Sequence, residues 1–165
     1  MPESYARIRF NLNPEDWHGE TAELLWAEPI GPQGSRVFRL MNSPYHAHAV
    51  SYLDIVRAEE AADGMGLDYA GTIEASGHST IWLLVPSDSA VFARHWSSLH
   101  SRGCTYEGVV FDSKQTLYSV DVPPEANFAE IVSILDEGHR RGAWLFQIPH
   151  AGHAPQPNPT PSGNT

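Results

Sequence analysis

TIWLLVPSDSAVFARHWSSLHSRGC, residues Thr80–Cys104, is the stretch that decides the fold. Its first six residues, Thr80–Val85, form a short apolar run bounded by turn residues, which reads as a buried strand. Pro86-Ser87-Asp88 then opens a helix, with Ser87 or Asp88 as the expected cap. Phe92, Trp96 and Leu99 follow at helical spacing, and Gly103 stops the helix. Moving outward, Cys104–Phe111 and Thr116–Val122 read as a hairpin around Asp112-Ser113-Lys114-Gln115. Pro123-Pro124 breaks the sheet and starts a second helix, whose apolar face is Phe128, Ile131, Val132 and Leu135. Gly138 and Gly142 mark its end, and Trp144–Ile148 is the closing strand. The order β-α-β-β-α-β is the ferredoxin-like split βαβ unit. Two helices should cover one face of its sheet. The strands are apolar on both faces, so the other face also needs a cover: the N-terminal half or a second copy of the chain.

Upstream the pattern changes to short strands and turns. Ile8, Phe10 and Leu12 alternate with Arg7, Arg9 and Asn11, a half-buried strand. Thr21–Pro29 and Arg36–Met41 read as a hairpin around Gly31-Pro32-Gln33-Gly34-Ser35. Asn42-Ser43-Pro44 ends it, because Pro44 forces Ser43 out of the helical region. Val50–Arg57 and Leu67–Ala75 are the last two expected strands, on either side of an acidic turn at Glu59–Gly66. Trp17 and His18 fall in the loop after the first strand. The fold class is therefore α+β. Residues 1–78 form a small β-sheet or barrel, residues 79–149 a ferredoxin-like unit, and residues 150–165, rich in Pro, Gly, Ser and Asn, a mobile tail.

The chain has 165 residues and 41% hydrophobic composition, enough for a real core. Its net charge is −10. Met1–His78 holds five basic and twelve acidic residues, a net of −7. Such a surface repels phosphate backbones, so no nucleic-acid partner is expected. Arg140-Arg141 is the only basic pair and reads as a solvated helix end. Cys104 stands alone, which excludes a disulfide framework and reads as a buried small hydrophobe. Met-Pro-Glu-Ser at the start is not a signal peptide, and no apolar run reaches membrane-spanning length. The expected setting is the cytoplasm, with no membrane partner. No cofactor is expected either, because Gly64-Met65-Gly66 is too short for a phosphate loop and no helix follows it.

The densest cluster of unusual side chains is Asn42–Val56, NSPYHAHAVSYLDIV. His46 and His48 are two apart. On a strand they would share a face and suit one zinc ion, with Asp54 or His78 as a third ligand. The alternative is a pair of exposed polar residues beside a turn. Asp54 interrupts an apolar run, where an acid can serve as a base or ligand but more often anchors a turn by accepting backbone N–H groups. Asn42 is a turn former first and a substrate contact second. A Ser79–His78–Asp54 triad is unfavourable, because adjacent residues on a strand point to opposite sides and no G-x-S-x-G elbow is present. Trp26, Tyr45, Tyr52, Trp82, Tyr106 and Tyr118 can line a pocket, though packing between the halves is their default use.

Glu23-Leu24-Leu25-Trp26-Ala27, Asn42-Ser43-Pro44-Tyr45, Ser51 to Val56 and Ser76-Gly77-His78-Ser79 occur in the order E-s-L-W-A, N-x-P-F/Y, S-x-x-D-x-V and s-G-h-s. In this the chain resembles the small bacterial proteins grouped as domain-of-unknown-function family 4265, over roughly residues 5 to 148. The resemblance implies no activity. His78 falls on the family pattern and His46-Ala47-His48 does not. The expected function is a non-catalytic accessory protein of immunity or regulatory type that binds a basic protein or peptide, with a homodimer through the open sheet face also possible. The alternative is a small enzyme or a metal- or small-molecule-binding protein. Its pocket would lie between the halves near His46, His48, Asp54 and His78. Candidate contact residues are Trp26, Asn42, Tyr45, His46, His48, Asp54 and His78, with His46 and His48 as candidate metal ligands.

Overall fold

The computed structural model describes residues 4–153. Five strands come first: β1 Ala6–Asn11, β2 Ala22–Ile30, β3 Val37–Leu40, β4 Ile55–Glu60 and β5 Leu67–Glu74. They close into a barrel in the order β1-β2-β3-β4-β5. Closure is a parallel pairing of β1 with β5, Ile8 opposite Leu67 and Arg9 opposite Asp68. Arg9 staples that seam through its Nε to Asp68 Oδ1 at 2.7 Å. The alternation read from β1 sends Ile8 and Phe10 into the barrel core, where they meet Leu25, Ala27, Phe38, Leu40, Val56 and Ala58.

The second unit runs β6 Ser79–Pro86, α1 Phe92–His100, β7 Thr105–Val110, β8 Gln115–Val122, α2 Phe128–Arg140 and β9 Leu145–His150. Its sheet order is β7-β8-β6-β9, all pairs antiparallel. This is the expected ferredoxin-like arrangement. Leu99 of α1 and Ile131 and Leu135 of α2 pack on Ile81, Leu83, Val85, Val120 and Val122 of one sheet face. Cys104 is fully buried in the same core, where burial pushes its thiol up to about 12.

Three local expectations change. Residues 50–54 are not strand: Ala49 and Leu53 have φ of 64° and 67°, which extended backbone does not allow, so β4 begins only at Ile55. Helix α1 begins at Phe92, and its first amide is met by Ser89 Oγ at 3.2 Å rather than by Ser87 or Asp88. The tail does not start at residue 150. His150 ends β9, and His153 lies between Ser79 Oγ (2.6 Å) and the Pro123 carbonyl (2.9 Å), its ring stacked on Phe128. Residues 154–165, also assigned to the tail, lie outside the described residues.

Candidate functional site

The second sheet face, away from the helices, is where the halves meet. Residues 41–54, between β3 and β4, bridge the halves: Ala47 and Val50 stay in the barrel core, while Pro44 and Ser51 reach this face. Glu23 of β2 organises the loop: its carboxylate accepts the backbone N–H groups of Tyr45 (2.6 Å), His46 (2.9 Å) and Ala47 (2.8 Å). The Pro44 carbonyl then takes two bonds from the sheet, Trp82 Nε1 at 2.9 Å and Ser119 Oγ at 2.6 Å. Farther along, Ser51 Oγ bonds Thr80 Oγ1 and His150 Nδ1, both at 2.7 Å. The joint is thus a set of satisfied buried polar bonds, the kind that fixes one relative orientation.

Beside this joint lies a polar cleft of about 480 Å³, lined by Asn42 and Tyr52 from the barrel loop and by Tyr106, Glu107, Ser119 and Asp121 from the sheet, among others. Asn42 Oδ1 holds the Trp26 amide at 2.9 Å, which fixes the rim. Asp121 sits at the back, 2.8 Å from His78 Nδ1, and Tyr52 stands edge-on to that imidazole. Burial raises the Asp121 carboxyl above the usual range, and the neighbouring His78 opposes that rise. At the other rim, Glu107 lies near Tyr45, whose hydroxyl is held protonated first by burial and then by Glu107 and Glu23.

A second, apolar hollow of about 280 Å³ lies along the same sheet face, lined by Trp17, Trp82, Leu84, Leu117, Leu145, Phe146 and Gln147. Trp17 reaches it from the loop between β1 and β2 and packs against Trp82 and Phe111. Beneath Trp17 the rings of His18 and His46 lie 4.6 Å apart. His18 Nε2 and His46 Nδ1 are buried without a hydrogen-bond partner among the described residues, the Asp16 carboxylate lying 3.9 Å from His18 Nε2. Burial lowers the His46 pKa, which favours its neutral form.

The sequence candidates do not converge on one spot. His46 faces Trp17 and His18, whereas His48 is exposed and lies edge-on to Trp82. The shared-face geometry proposed for them required a strand, and the segment is a loop. Among the described residues no three His, Cys, Asp or Glu side chains form a metal-holding group. Asp54 is buried and accepts the Ser51 and Ser76 amides at 2.9 and 2.8 Å, the anchoring role. Trp26 lies under the Arg7 guanidinium on the barrel exterior. Ser79 is fully buried, takes the Gly152 N–H at 2.8 Å and stands 2.6 Å from His153 Nδ1, on the side away from the His78 and Asp54 that the triad would have needed. Asn42 and Tyr52 do reach the cleft, and His78 reaches it through Asp121. Glu107, Ser119 and Asp121 were missed. Their signal was parity: Ser119 and Asp121 alternate with Val120 and Val122, a polar row on a strand otherwise buried.

A family model described as a domain of unknown function, DUF4265, matches residues 23–146. The chain belongs to this family. The DUF4265 match takes in the Glu23 anchor, the bridging loop, the whole cleft and both helices. No curated protein matches the chain. A solved structure described as a hypothetical protein from Neisseria gonorrhoeae is similar in fold, with a TM-score of 0.69 and 21% identity over 92% of this chain and 96% of that one. The two-unit architecture is therefore also present in that protein. No helix among the described residues is long and apolar enough to cross a membrane.

Proposed function

We propose that the chain is a non-catalytic accessory protein that binds a basic segment of another protein, with the cleft between barrel and sheet seating a Lys or Arg side chain. The observation that carries this reading is the cleft lining. Two carboxylates, Glu107 and Asp121, stand with the Tyr52 ring, and no Lys or Arg lines the space. A guanidinium or ammonium gains a charge-assisted hydrogen bond from such carboxylates and a favourable contact with the Tyr52 ring. The net charge of −10 adds long-range attraction for a basic partner and speeds encounter. Binding rather than turnover fits the way the reactive-looking side chains are used: Asp54 is committed to backbone amides, Ser79 is fully buried against His153 and the Gly152 amide, and His78 is held by Asp121.

A labelled hexa-arginine peptide followed by fluorescence anisotropy tests this. It should bind the full chain at low ionic strength and weaken as salt is added. Glu107→Gln should weaken it by about fivefold, the loss of one partly exposed charge-assisted contact. Equal binding to wild type and variant would sink the proposal.

A small-molecule reading of the same cleft rests on one feature, the orientation of His78 by Asp121, which leaves Nε2 free to accept. It predicts a co-purifying small ligand that is lost in His78→Ala. Native mass spectrometry of both proteins, with unchanged ligand occupancy, would remove it.

A further inference from the structure

We infer that strand β7 is a docking edge for an extended basic segment of a partner protein, which adds to the sheet as a fifth strand and brings a cationic side chain to Glu107. This rests on the binding reading above and specifies how the partner is held. The sheet has two outer strands, β7 and β9, and they are treated differently. The β9 edge is blunted: Pro149 has no N–H, its carbonyl is taken by Ala49 N at 3.3 Å, and the pairing with β6 shifts register between Thr80 and Trp82. The β7 edge has none of these guards. It pairs with β8 without a break from Thr105 opposite Asp121 to Val110 opposite Thr116, and it contains no Pro and no Lys. All six of its residues are exposed, Val110 to 76%. Unguarded, regular edges of this kind are templates for another strand, and partner recognition is their established use.

The edge is also held rigid. Tyr106 is wedged edge-on against Trp96 (4.5 Å) and Tyr118 (4.7 Å). At Gly108 a Cβ would come within 2.7 Å of the Tyr118 ring, so that ring lies across the strand at this position. A preorganised edge lowers the ordering cost of binding.

The occupant follows from side-chain alternation. Tyr106 points to the helices, so Thr105, Glu107 and Val109 face the cleft side. A strand laid along this edge meets a carboxylate and then, two residues on, an apolar valine. The complementary segment carries Lys or Arg opposite Glu107 and a β-branched residue opposite Val109. A second copy of this chain is the poorer occupant. Antiparallel self-pairing of β7 brings two Glu107 side chains onto one face, between chains that each carry −10.

The test uses the full chain and a six-residue peptide, lysine-threonine-valine-threonine-lysine-threonine, which carries lysine and valine two apart on one face, with amide hydrogen exchange read residue by residue. In the free protein the outward amides of Thr105–Val110 should exchange fast. With saturating peptide they should slow by at least about tenfold, as for amides entering a ladder. Two N-methylated peptides, each blocked on one alternate set of amides, supply the control: one should lose the protection and the other keep it. If the peptide binds and Glu107→Gln weakens it while β7 exchange is unchanged, the cleft reading stands and strand addition falls. Protection of β7 that rises with protein concentration in the absence of peptide assigns the edge to a second copy and overturns the proposal. No binding of the peptide overturns both.

Discussion

Asp54 has no solvent exposure, yet its carboxylate serves two amides from separate segments, Ser51 at 2.9 Å and Ser76 at 2.8 Å. Removing the acid leaves the buried Ser51 N–H and the half-buried Ser76 N–H unmet. Asp54→Ala should therefore cost about 2–4 kcal/mol, roughly one unsatisfied group's penalty for each amide. Urea denaturation of both proteins reads this directly, and a loss under about 1 kcal/mol would mean that water replaces the carboxylate. The anchoring role was legible because an acid inside an apolar run beside turn residues has few other uses. The histidines were not. His46 and His48 look like same-face neighbours only if the backbone is extended, and φ values of 64° at Ala49 and 67° at Leu53 belong to a loop. Positive φ at a non-glycine residue leaves no signature in the sequence and is set by the tertiary bonds around it. Glu23 was invisible for the same reason, since its three amide partners lie 22 to 24 residues away.

The elements of the second unit were legible because period and punctuation agree: apolar runs, a hairpin turn at Asp112–Gln115, and proline and glycine at the right ends. Asn127 caps α2 through its side chain to the Glu130 amide at 3.3 Å. The start of α1 was displaced because several Ser and Asp residues precede it, and Ser89 alone is placed to reach the first amide. Helix α2 also supplies a sharp test of packing. Gly138 is buried where a Cβ would enter the Trp144 indole, whose own Nε1 is fixed by the Leu135 carbonyl at 3.0 Å. Alanine favours a helix over glycine by about 1 kcal/mol, but the clash here is with a ring that has nowhere to go. Gly138→Ala should therefore destabilise by about 1–3 kcal/mol, seen as a lowered denaturation midpoint. A neutral or stabilising effect would show that the α2–β9 contact is loose.

On the scale of the whole molecule, two separate apolar cores are joined by a polar seam. The cleft at that seam was beyond the reach of sequence reading, because its lining comes from residues 41–43, 52, 103, 105–107, 119 and 121. His78 and Asp121 mark one end of the seam, and their pairing gives it a pH dependence. The folded carboxyl of Asp121 is raised, chiefly by burial, so folding favours its protonated form. Its contribution is present below the ordinary carboxylate range and is lost as pH rises through the higher folded value. The stability advantage of wild type over Asp121→Asn should thus be larger at acid pH than at neutral pH, in paired denaturation curves. An advantage that grows toward neutral pH would mean that attraction to His78 outweighs burial. The central claim is that the cleft, and not the acidic surface at large, receives a basic side chain. Amide chemical-shift mapping of the hexa-arginine peptide on the full chain at physiological ionic strength tests it most directly. The account predicts shifts concentrated at Asn42, Tyr52, Tyr106 and Glu107. Shifts spread over the barrel acids Glu59, Glu60 and Asp63, with the cleft unmoved, would contradict it.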